Sequence, residues 1–325
     1  MRGSAAVNRS AFLLGSLAAP LAAHAALETV RTQFSWLPNV EYAGFFLAQE
    51  RGWFADAGIA HRYLPGGPRL PSVAAMVANG AADAGVDELD KVVDAVRAGD
   101  DLVILGAIYQ RPVGGLLSLP GHPIVRAADL VGARIGIQSG GREYIDGILR
   151  LNHLPVRYTA VAVGESPGAL LNGECEGFLC YLTNQPLMLD QRGIRYVVRS
   201  LTAFGYFGYD GCIFVRRRTL QTRRATLVRY LGAVRRGWEW NVADPVAGTQ
   251  ATLRIAPPAL QLNRAQQLQQ NRAQAPFMQS AVTRRFGLLA VDRAGVGRAY
   301  ATLRAEGRST LPPFERLFDL SLLHG

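Results

Sequence analysis

The sequence of 325 residues has almost no lysine, little cysteine and one long apolar run. Lys91 is its single lysine, so the net charge of +10 rests on arginine. Residues 216–325 hold 18 Arg against 6 acidic residues, and the arginines at 216–218, 223 and 224 precede a helical apolar pattern. We expect these arginines to form the solvated face of that helix, since a nucleic-acid interface would interleave a basic stripe with exposed aromatic residues. The composition therefore argues against nucleic acid as a partner.

The three cysteines, Cys175, Cys180 and Cys212, cannot all pair within the chain. Cys175 and Cys180 fall in one predicted strand, where five residues at about 3.3 Å each separate them by roughly 16 Å, beyond the reach of a disulfide. Either could pair with Cys212 only if the fold brings them together. No C-x-x-C motif or His cluster accompanies them, which argues against a metal site. We expect buried free thiols.

The one long apolar run, residues 11–23, follows two arginines and ends in a small-x-small cleavage signal at Ala23 to Ala25. This pattern predicts a secretory signal peptide over residues 1–26, cleaved near Ala25 or Ala26. A retained membrane anchor is the alternative, although the run is short for a membrane span. Because no cysteine lies near the cleavage site to carry a lipid, we expect a periplasmic protein without an anchor.

Strand, loop and helix patterns alternate from Phe34 to Glu88 and start again at Ala133. Alternating βα units predict an α/β fold with largely parallel sheets and right-handed crossovers. We expect a first lobe from residues 27–110, a second lobe from 111–205, and a return to the first lobe plus C-terminal helices over 206–325. Residues 111–129 are predicted to be a polar crossing between the lobes, and residues 251–275 show no strong apolar stripe.

In such sheets ligands bind beyond the carboxyl ends of the strands. Two aromatic side chains there, Trp36 and Tyr42, can stack on a flat heterocycle or simply pack the lobe. The Gly66–Gly67 turn brings backbone amides close to the cleft, although a plain turn explains it equally well. Asp87 can accept a hydrogen bond from an amine or cap the helix that begins there. The candidate ligand-binding residues of the first lobe are Trp36, Asn39, Tyr42, Gly66, Gly67 and Asp87.

The second lobe has a strand, a Ser-Gly-Gly turn and a helix start at residues 138–143. Free backbone amides and the helix dipole make this turn suitable for an anion or a polarised oxygen. Side-chain amides after a later strand can recognise the edge of a pyrimidine. At the predicted crossovers, polar residues serve as hinge or cleft wall. The candidates from these segments are Ser139, Gly140, Gly141, Arg142, Tyr181, Asn184, Gln110, Tyr209 and Asp210.

Four motifs follow in order: W-x-P-N-x-x-Y-A-G from Trp36, A-x-E-x-G-W-F-x-x-x-G-I from Ala48, P-G-G-P from Pro65 and N-G-x-A-D-A-G-V from Asn79. Their order and spacing resemble the first lobe of bacterial solute-binding proteins of the sulfonate and thiamine-pyrimidine-binding family, which serve ABC importers. The resemblance covers roughly residues 29–220.

The resemblance implies a type II periplasmic-binding-protein fold, with two Rossmann-like lobes, two crossovers and a helical C-terminal part. It implies a monomeric substrate-binding component that closes on a small molecule and is recognised by a membrane permease. The motifs look most like the members that bind thiamine pyrimidine precursors or riboflavin, and an alkanesulfonate or taurine is the alternative ligand. A ligand sensor that partners a membrane receptor is a further alternative.

The family also contains thiamine pyrimidine synthases, which carry a lysine that binds pyridoxal phosphate and an essential histidine four residues later. The matching positions here are Asp87 and Lys91, so neither group is in register. Of the cysteine-rich run in those enzymes, only Cys212 remains. We therefore expect a binding protein without a cofactor rather than an enzyme.

Overall fold

The computed structural model describes residues 1, 26–67, 70, 72–138 and 140–324, and the predicted signal peptide from residue 2 to Ala25 lies outside these ranges. Ten strands form two five-stranded sheets in the described part. The strands are β1 Glu28–Phe34, β2 Ile59–Leu64, β3 Ala84–Asp87, β4 Leu102–Tyr109, β5 Gly114–Ser118, β6 Arg134–Ile137, β7 Thr159–Ala162, β8 Gly177–Tyr181, β9 Val197–Ser200 and β10 Asp210–Arg216.

The first sheet has the order β2-β1-β3-β10-β4. Its first three strands run parallel, whereas β10 is antiparallel to both β3 and β4. All eight residues of β4 are buried, as expected for an apolar strand covered on both faces. Because β10 comes from the chain returning from the second lobe, this lobe is complete only after both crossovers.

The second sheet has the order β7-β6-β8-β5-β9. Its strand β5 corrects the sequence analysis, which predicted only a polar crossing over residues 111–129. Gly114 and Gly115 suggested a loop, but their lack of side chains admits neighbours: a Cβ at these positions would lie 2.7 Å from Leu201 and 2.5 Å from Leu182. Leu116 and the next leucine of β5 are fully buried and anchor the strand between β8 and β9.

Helices cover both sheets and dominate the C-terminal third. They are α1 Ala43–Glu50, α2 Trp53–Asp56, α3 Val73–Ala78, α4 Leu89–Ala98, α5 Arg142–Leu151, α6 Gly168–Leu171, α7 Gln185–Asp190, α8 Arg217–Thr222, α9 Arg224–Ala243, α10 Pro245–Ile255, α11 Arg264–Met278, α12 Ala281–Phe286, α13 Arg293–Ala305 and α14 Phe314–Leu317. A short 3-10 turn at Val40–Tyr42 joins the loop after β1 to α1. None of the described helices combines the length and the apolar character that a membrane span requires.

Helix α9 packs closely on α1 and completes the first lobe. A Cβ at Gly237 would lie 2.0 Å from the carbonyl oxygen of Gly44, so the two backbones meet without side chains between them. The indole of Trp238 is fully buried at this contact. Trp238 therefore packs on the first lobe, whereas Trp240 remains 44% exposed beside Trp53.

Several C-terminal arginines pair with acidic residues of the first lobe instead of facing only solvent. Arg217 contacts Asp101 at 2.9 Å and Arg223 contacts Asp83 at 3.3 Å. Exposed pairs of this kind contribute little each, about 0–1 kcal/mol. They nevertheless show that much of the positive charge of this segment is used within the molecule.

The three cysteines are free and buried, as expected. Cys175 precedes β8 rather than lying in it, because Gly177 is the first residue to join the sheet. Burial raises the pKa of the Cys180 and Cys212 thiols, which keeps both in the neutral form. These thiols therefore act as small apolar side chains in the cores of the two lobes.

Candidate functional site

The two lobes face each other beside the crossovers, and we call the space between them the cleft. A small cavity of about 20 Å³ lies there, with room for about one water molecule. Residues of both lobes and of both crossovers surround it. They include Asp90, Pro112, Tyr144, Tyr206, Tyr209 and Asp210.

Hydrogen bonds fix the crossovers at this end of the cleft. The backbone N–H of Val113 in the first crossover donates to Asp210 Oδ2 at the start of β10, at 2.9 Å. The N–H of Leu89, which begins α4, donates to the carbonyl oxygen of Tyr209 at 3.1 Å. Burial and then Glu88 raise the pKa of Asp210 to about 8. Asp210 is thus a structural tie between the crossovers that is largely protonated at neutral pH.

Carboxyl groups gather where β1, β3 and β10 meet the cleft, and we call Glu41, Asp87, Glu88, Asp90 and Asp210 the acidic cluster. Burial raises the pKa of Glu41 to about 7, and the carboxylates of Glu165 and Glu88 add to the shift. Burial and Glu88 also raise the pKa of Asp87 well above its usual value. At neutral pH the cluster therefore holds protonated carboxyls, each able to donate one hydrogen bond and accept others.

Tyrosines of the second lobe face the acidic cluster across the cleft. Tyr181 is the last residue of β8, and its side chain is 47% exposed on the side that faces the cleft. Burial raises the pKa of Tyr181, and its next contributions come from Glu88 and Glu41 of the first lobe. Burial and then Asp90 raise the pKa of Tyr144 on α5. The ring of Tyr144 lies edge-on to that of Tyr206, with the ring centroids 5.4 Å apart.

Of the first-lobe candidates, Trp36 and Asn39 are partly exposed in the loop after β1, whereas Tyr42 is buried in the core. Tyr42 stacks on Phe34 with ring centroids 3.9 Å apart, and its hydroxyl accepts a hydrogen bond from Trp36 N–H at 2.9 Å. Asn39 Oδ1 accepts from Glu41 N–H at 2.7 Å and caps the 3-10 turn. Trp36 is partly buried against the core of the lobe. These contacts make Tyr42 a support for the loop that carries Trp36.

The backbone amides of Gly66 and Gly67 form hydrogen bonds within their own lobe, as in the plain turn that the sequence also allowed. They donate to the carbonyl oxygens of Trp36 and Ser35, at 3.0 and 3.2 Å. A Cβ at Gly66 would lie 2.3 Å from the carbonyl oxygen of Phe34, so glycine here lets the turn pack on β1. The turn therefore supports the loop that carries Trp36.

The Ser-Gly-Gly turn of the second lobe is only partly described, since Ser139 lies outside the described residues. Gly140 is exposed with φ of 82°, and Gly141 is packed so closely that a Cβ would lie 2.5 Å from Leu179. The guanidinium of Arg142 lies over the ring of Tyr158, 5.3 Å from its centroid. Arg142 is therefore engaged on its own lobe.

The remaining candidates connect elements. Asn184 precedes α7, and its Oδ1 accepts from Gln266 Nε2 of α11 at 3.4 Å. Gln110 is buried, and its Oε1 accepts from the Ser280 hydroxyl at 3.0 Å. Both amides therefore join the C-terminal helices to the rest of the molecule. Tyr209 is buried between α4 and α13, with its hydroxyl against Gly295.

Sequence reasoning missed two acids, Glu41 and Glu165, and the buried amides of α11. Glu41 lies within the motif that carries Trp36 and Tyr42, and its position two residues after Asn39 was the available signal. Glu165 had no comparable signal, because it faces the cluster only once the lobes are side by side. In the described part of the chain, no group of three or more His, Cys, Asp or Glu side chains is arranged to hold a metal ion.

Comparison with known proteins assigns the chain to a family. A model described as NMT1/THI5 like matches residues 39–247. The chain is 25% identical to riboflavin-binding protein RibY of Chloroflexus aurantiacus over 308 residues, which is 91% of this chain and 87% of that protein. It is 30% identical over 147 residues to 4-amino-5-hydroxymethyl-2-methylpyrimidine phosphate synthase of Schizosaccharomyces pombe, a match that spans 44% of this chain and only 42% of the yeast protein.

Among solved structures, the periplasmic aliphatic sulphonate binding protein SsuA from Escherichia coli has a TM-score of 0.67 at 16% identity. The match covers 89% of this chain and 91% of that one. At this identity the likeness shows the fold alone, and it confirms the α/β periplasmic-binding-protein fold predicted from the sequence. The family model covers more than half of the chain. The chain belongs to the NMT1/THI5-like family.

Proposed function

We propose that this chain is the substrate-binding component of an ABC importer. It acts as a monomer in the periplasm and takes a small aromatic heterocycle, a thiamine pyrimidine precursor or riboflavin, into the interlobe cleft. The fold and the resemblance to riboflavin-binding protein RibY support a binding protein. The observation that carries the ligand class is the acidic cluster opposite Tyr181 and Tyr144.

The chemistry of the cleft suits a nitrogen heterocycle that carries an amino group. A protonated carboxyl offers a donor and an acceptor side by side, which matches the ring nitrogen and exocyclic amine of an aminopyrimidine. Glu41 and Asp210, with pKa values of about 7 and 8, are partly or largely protonated at neutral pH. The faces of Tyr181 and Trp36 are suited to stacking on a flat ring.

The same features disfavour an alkanesulfonate, although SsuA shares the fold. A sulfonate carries a fixed negative charge, and a cluster of acidic side chains contains no cation to balance that charge. Arg142, the cation that the sequence offered for an anion, is engaged with Tyr158. We therefore give the heterocycle precedence over the sulfonate.

Pyrimidine synthesis with pyridoxal phosphate does not fit the residues present. An amine that forms a Schiff base needs a lowered pKa so that it is neutral when it attacks. Burial alone would lower the pKa of Lys91, but Asp90, at 3.1 Å, outweighs it and raises the pKa. The single lysine is therefore held as a cation. A binding role is the function that these residues support best.

Contacts between the lobes support a closing motion. Gln191 of α7 donates a hydrogen bond through Nε2 to Gln269 Oε1 of α11, at 3.0 Å. Near the crossovers, Arg308 Nη2 donates to Glu143 of α5 at 3.0 Å and to Asp94 of α4 at 2.7 Å. The cavity between them is too small for a heterocycle, so entry requires the lobes to separate and binding would favour their closure.

The test is a thermal-shift and calorimetric titration of the chain from Leu27. The panel is riboflavin, 4-amino-5-hydroxymethyl-2-methylpyrimidine and an alkanesulfonate. A ligand at about 100 times its Kd should stabilise the protein by about 2.7 kcal/mol. Tyr181→Ala should weaken a stacked heterocycle by about 1–3 kcal/mol, while Trp240→Ala, an equally exposed aromatic outside the cleft, should not. Binding of the sulfonate alone would refute the proposed ligand class.

A further inference from the structure

Helix α11 has a buried face made of amides rather than apolar side chains. Gln267, Gln270, Asn271 and Gln274 are each 5% exposed or less. Burying an amide is costly unless its donor and acceptor find partners. The sequence of α11 is rich in Gln and Ala and gives this helix little apolar surface to bury. Its position in the molecule is therefore set by hydrogen bonds.

Two of these amides form hydrogen bonds with the backbone of Val40 in the first lobe, one with its N–H and the other with its carbonyl oxygen. Gln267 Oε1 accepts a hydrogen bond from Val40 N–H at 3.1 Å, and Gln274 Nε2 donates to the Val40 carbonyl oxygen at 2.8 Å. The two glutamines are seven residues apart, which places them on the same face two turns apart. Val40 itself is fully buried, so water cannot replace these partners.

The two amides are held in the required orientation by their own neighbours. The hydroxyl of Tyr109 donates to Gln274 Oε1 at 2.7 Å, which directs Nε2 of that amide to Val40. Gln267 Nε2 donates to Gln270 Oε1 at 3.2 Å, which leaves Oε1 of Gln267 for the Val40 amide. Gln270 Nε2 in turn lies 3.4 Å from Glu41 Oε1. The network thus runs from α11 to the acidic cluster.

Val40 lies in the loop that carries Trp36, Asn39 and Tyr42. It begins the 3-10 turn that contains Glu41 and Tyr42, and the Tyr42 hydroxyl accepts from Trp36 N–H. Moving Val40 would therefore move the carboxyl of Glu41 and the backbone of Trp36 together. Sites that are fixed before the ligand arrives lose less free energy on binding than sites that must be ordered.

We propose that Gln267 and Gln274 are positioning residues of the ligand site: they clamp the backbone of Val40 and so present Glu41 and Trp36 to the heterocycle. This inference rests on the proposed function, because it gives those two residues a ligand to meet. Neither glutamine touches the ligand. Their effect passes through the loop, and it makes ligand affinity depend on a helix more than 220 residues away in sequence.

The experiment compares Gln267→Met and Gln274→Met, which keep length but remove the hydrogen bonds, with Gln279→Met, the same change at an exposed position after α11. Hydrogen exchange of the Val40 amide is followed against amides of β5 in the second lobe. The panel ligands, riboflavin and 4-amino-5-hydroxymethyl-2-methylpyrimidine, are titrated against each variant.

In Gln267→Met we expect Val40 to exchange about tenfold faster while β5 is unchanged, and ligand affinity to fall about tenfold, as for one lost buried hydrogen bond. Gln274→Met should lose affinity to a similar degree, and Gln279→Met should match the wild type. Gln267→Glu retains an acceptor oxygen toward Val40 but loses the amide donor to Gln270, so it should restore slow exchange of Val40 and only part of the affinity.

Unchanged exchange of Val40 in a folded Gln267→Met variant would overturn the clamp. Faster exchange with unchanged affinity would overturn its role in binding. If Gln267→Met does not fold, Gln274→Met decides by the same two measurements. If the wild type binds no member of the panel, the proposed function fails, but the exchange of Val40 still tests the clamp by itself.

Discussion

Helices α9 and α11 both pack on the first lobe near α1, but they do so by opposite means. Helix α9 brings Tyr230 and Trp238 into the core, and the backbones at Gly44 and Gly237 meet directly. Helix α11 brings glutamines that bind the backbone of Val40. The contact of α9 consists of closely packed apolar groups, and the contact of α11 consists of directed hydrogen bonds.

The two kinds of contact contribute differently to the lobe: one mainly stabilises it, and the other mainly fixes where its parts lie. Apolar burial is favourable whatever the orientation of the groups, so it stabilises strongly but specifies weakly. Hydrogen bonds contribute less net free energy but need defined distances and angles, so they specify one arrangement. We infer that α9 holds the lobe together and that α11 sets the position of the loop that carries Trp36 and Glu41. Three substitutions test this division.

The largest effect is expected at the apolar contact. Trp238→Ala should lower the free energy of unfolding by about 3–5 kcal/mol, because it removes a fully buried large aromatic side chain. Trp238→Phe is the control: the indole N–H has no hydrogen-bond partner among the residues that the structure describes, so a smaller aromatic ring loses no polar contact seen there. Urea unfolding measures both variants. A loss below 1 kcal/mol for Trp238→Ala, or changed exchange at Val40 in the folded state, would break the comparison.

An intermediate effect is expected where the two helices join. Asn241 of α9 and Asn271 of α11 exchange two buried hydrogen bonds, at 2.8 and 2.9 Å. Asn241→Leu should cost about 1–3 kcal/mol, because it leaves a buried amide with fewer partners. It should also disturb α11 more than α9, which exchange of the backbone amides in each helix can show. Gln279→Leu, at an exposed amide, should change unfolding by less than about 0.5 kcal/mol.

The two helices also differ in how far the sequence could predict them. The helical apolar pattern that follows Arg224 predicted a C-terminal helix where the chain returns to the first lobe, and the alternating strands predicted the two-lobed fold. The polar stretch at 251–275 carried no such pattern, because a buried amide and an exposed one have the same sequence signature. The same limit applies to Glu165, which meets Glu41 only across the lobes, and to β5, whose glycines suggested a loop.

A pH-dependent effect is expected at the end of the amide network. Burial, followed by Glu165 and Glu88, raises the pKa of Glu41 from 4.5 to about 7. The folded protein therefore binds a proton here that the unfolded chain has released, so this group favours unfolding increasingly as pH rises from about 4.5 to 7. The apolar contact at Trp238 contains no group that titrates in this range.

Glu41→Gln should thus have nearly the wild-type free energy of unfolding below pH 4.5, when the carboxyl is protonated in both states. Above that pH the variant should become the more stable protein, and its stability should fall less steeply. Asp210 and Asp87, whose pKa values are also raised, keep a residual slope in the variant. Urea unfolding at intervals between pH 4 and 8 measures the difference, with Trp238→Phe as the control that should keep the wild-type slope. Parallel profiles for Glu41→Gln and the wild type would show that Glu41 is solvated like an ordinary surface acid, and the amide network would then end in solvent rather than in the acidic cluster.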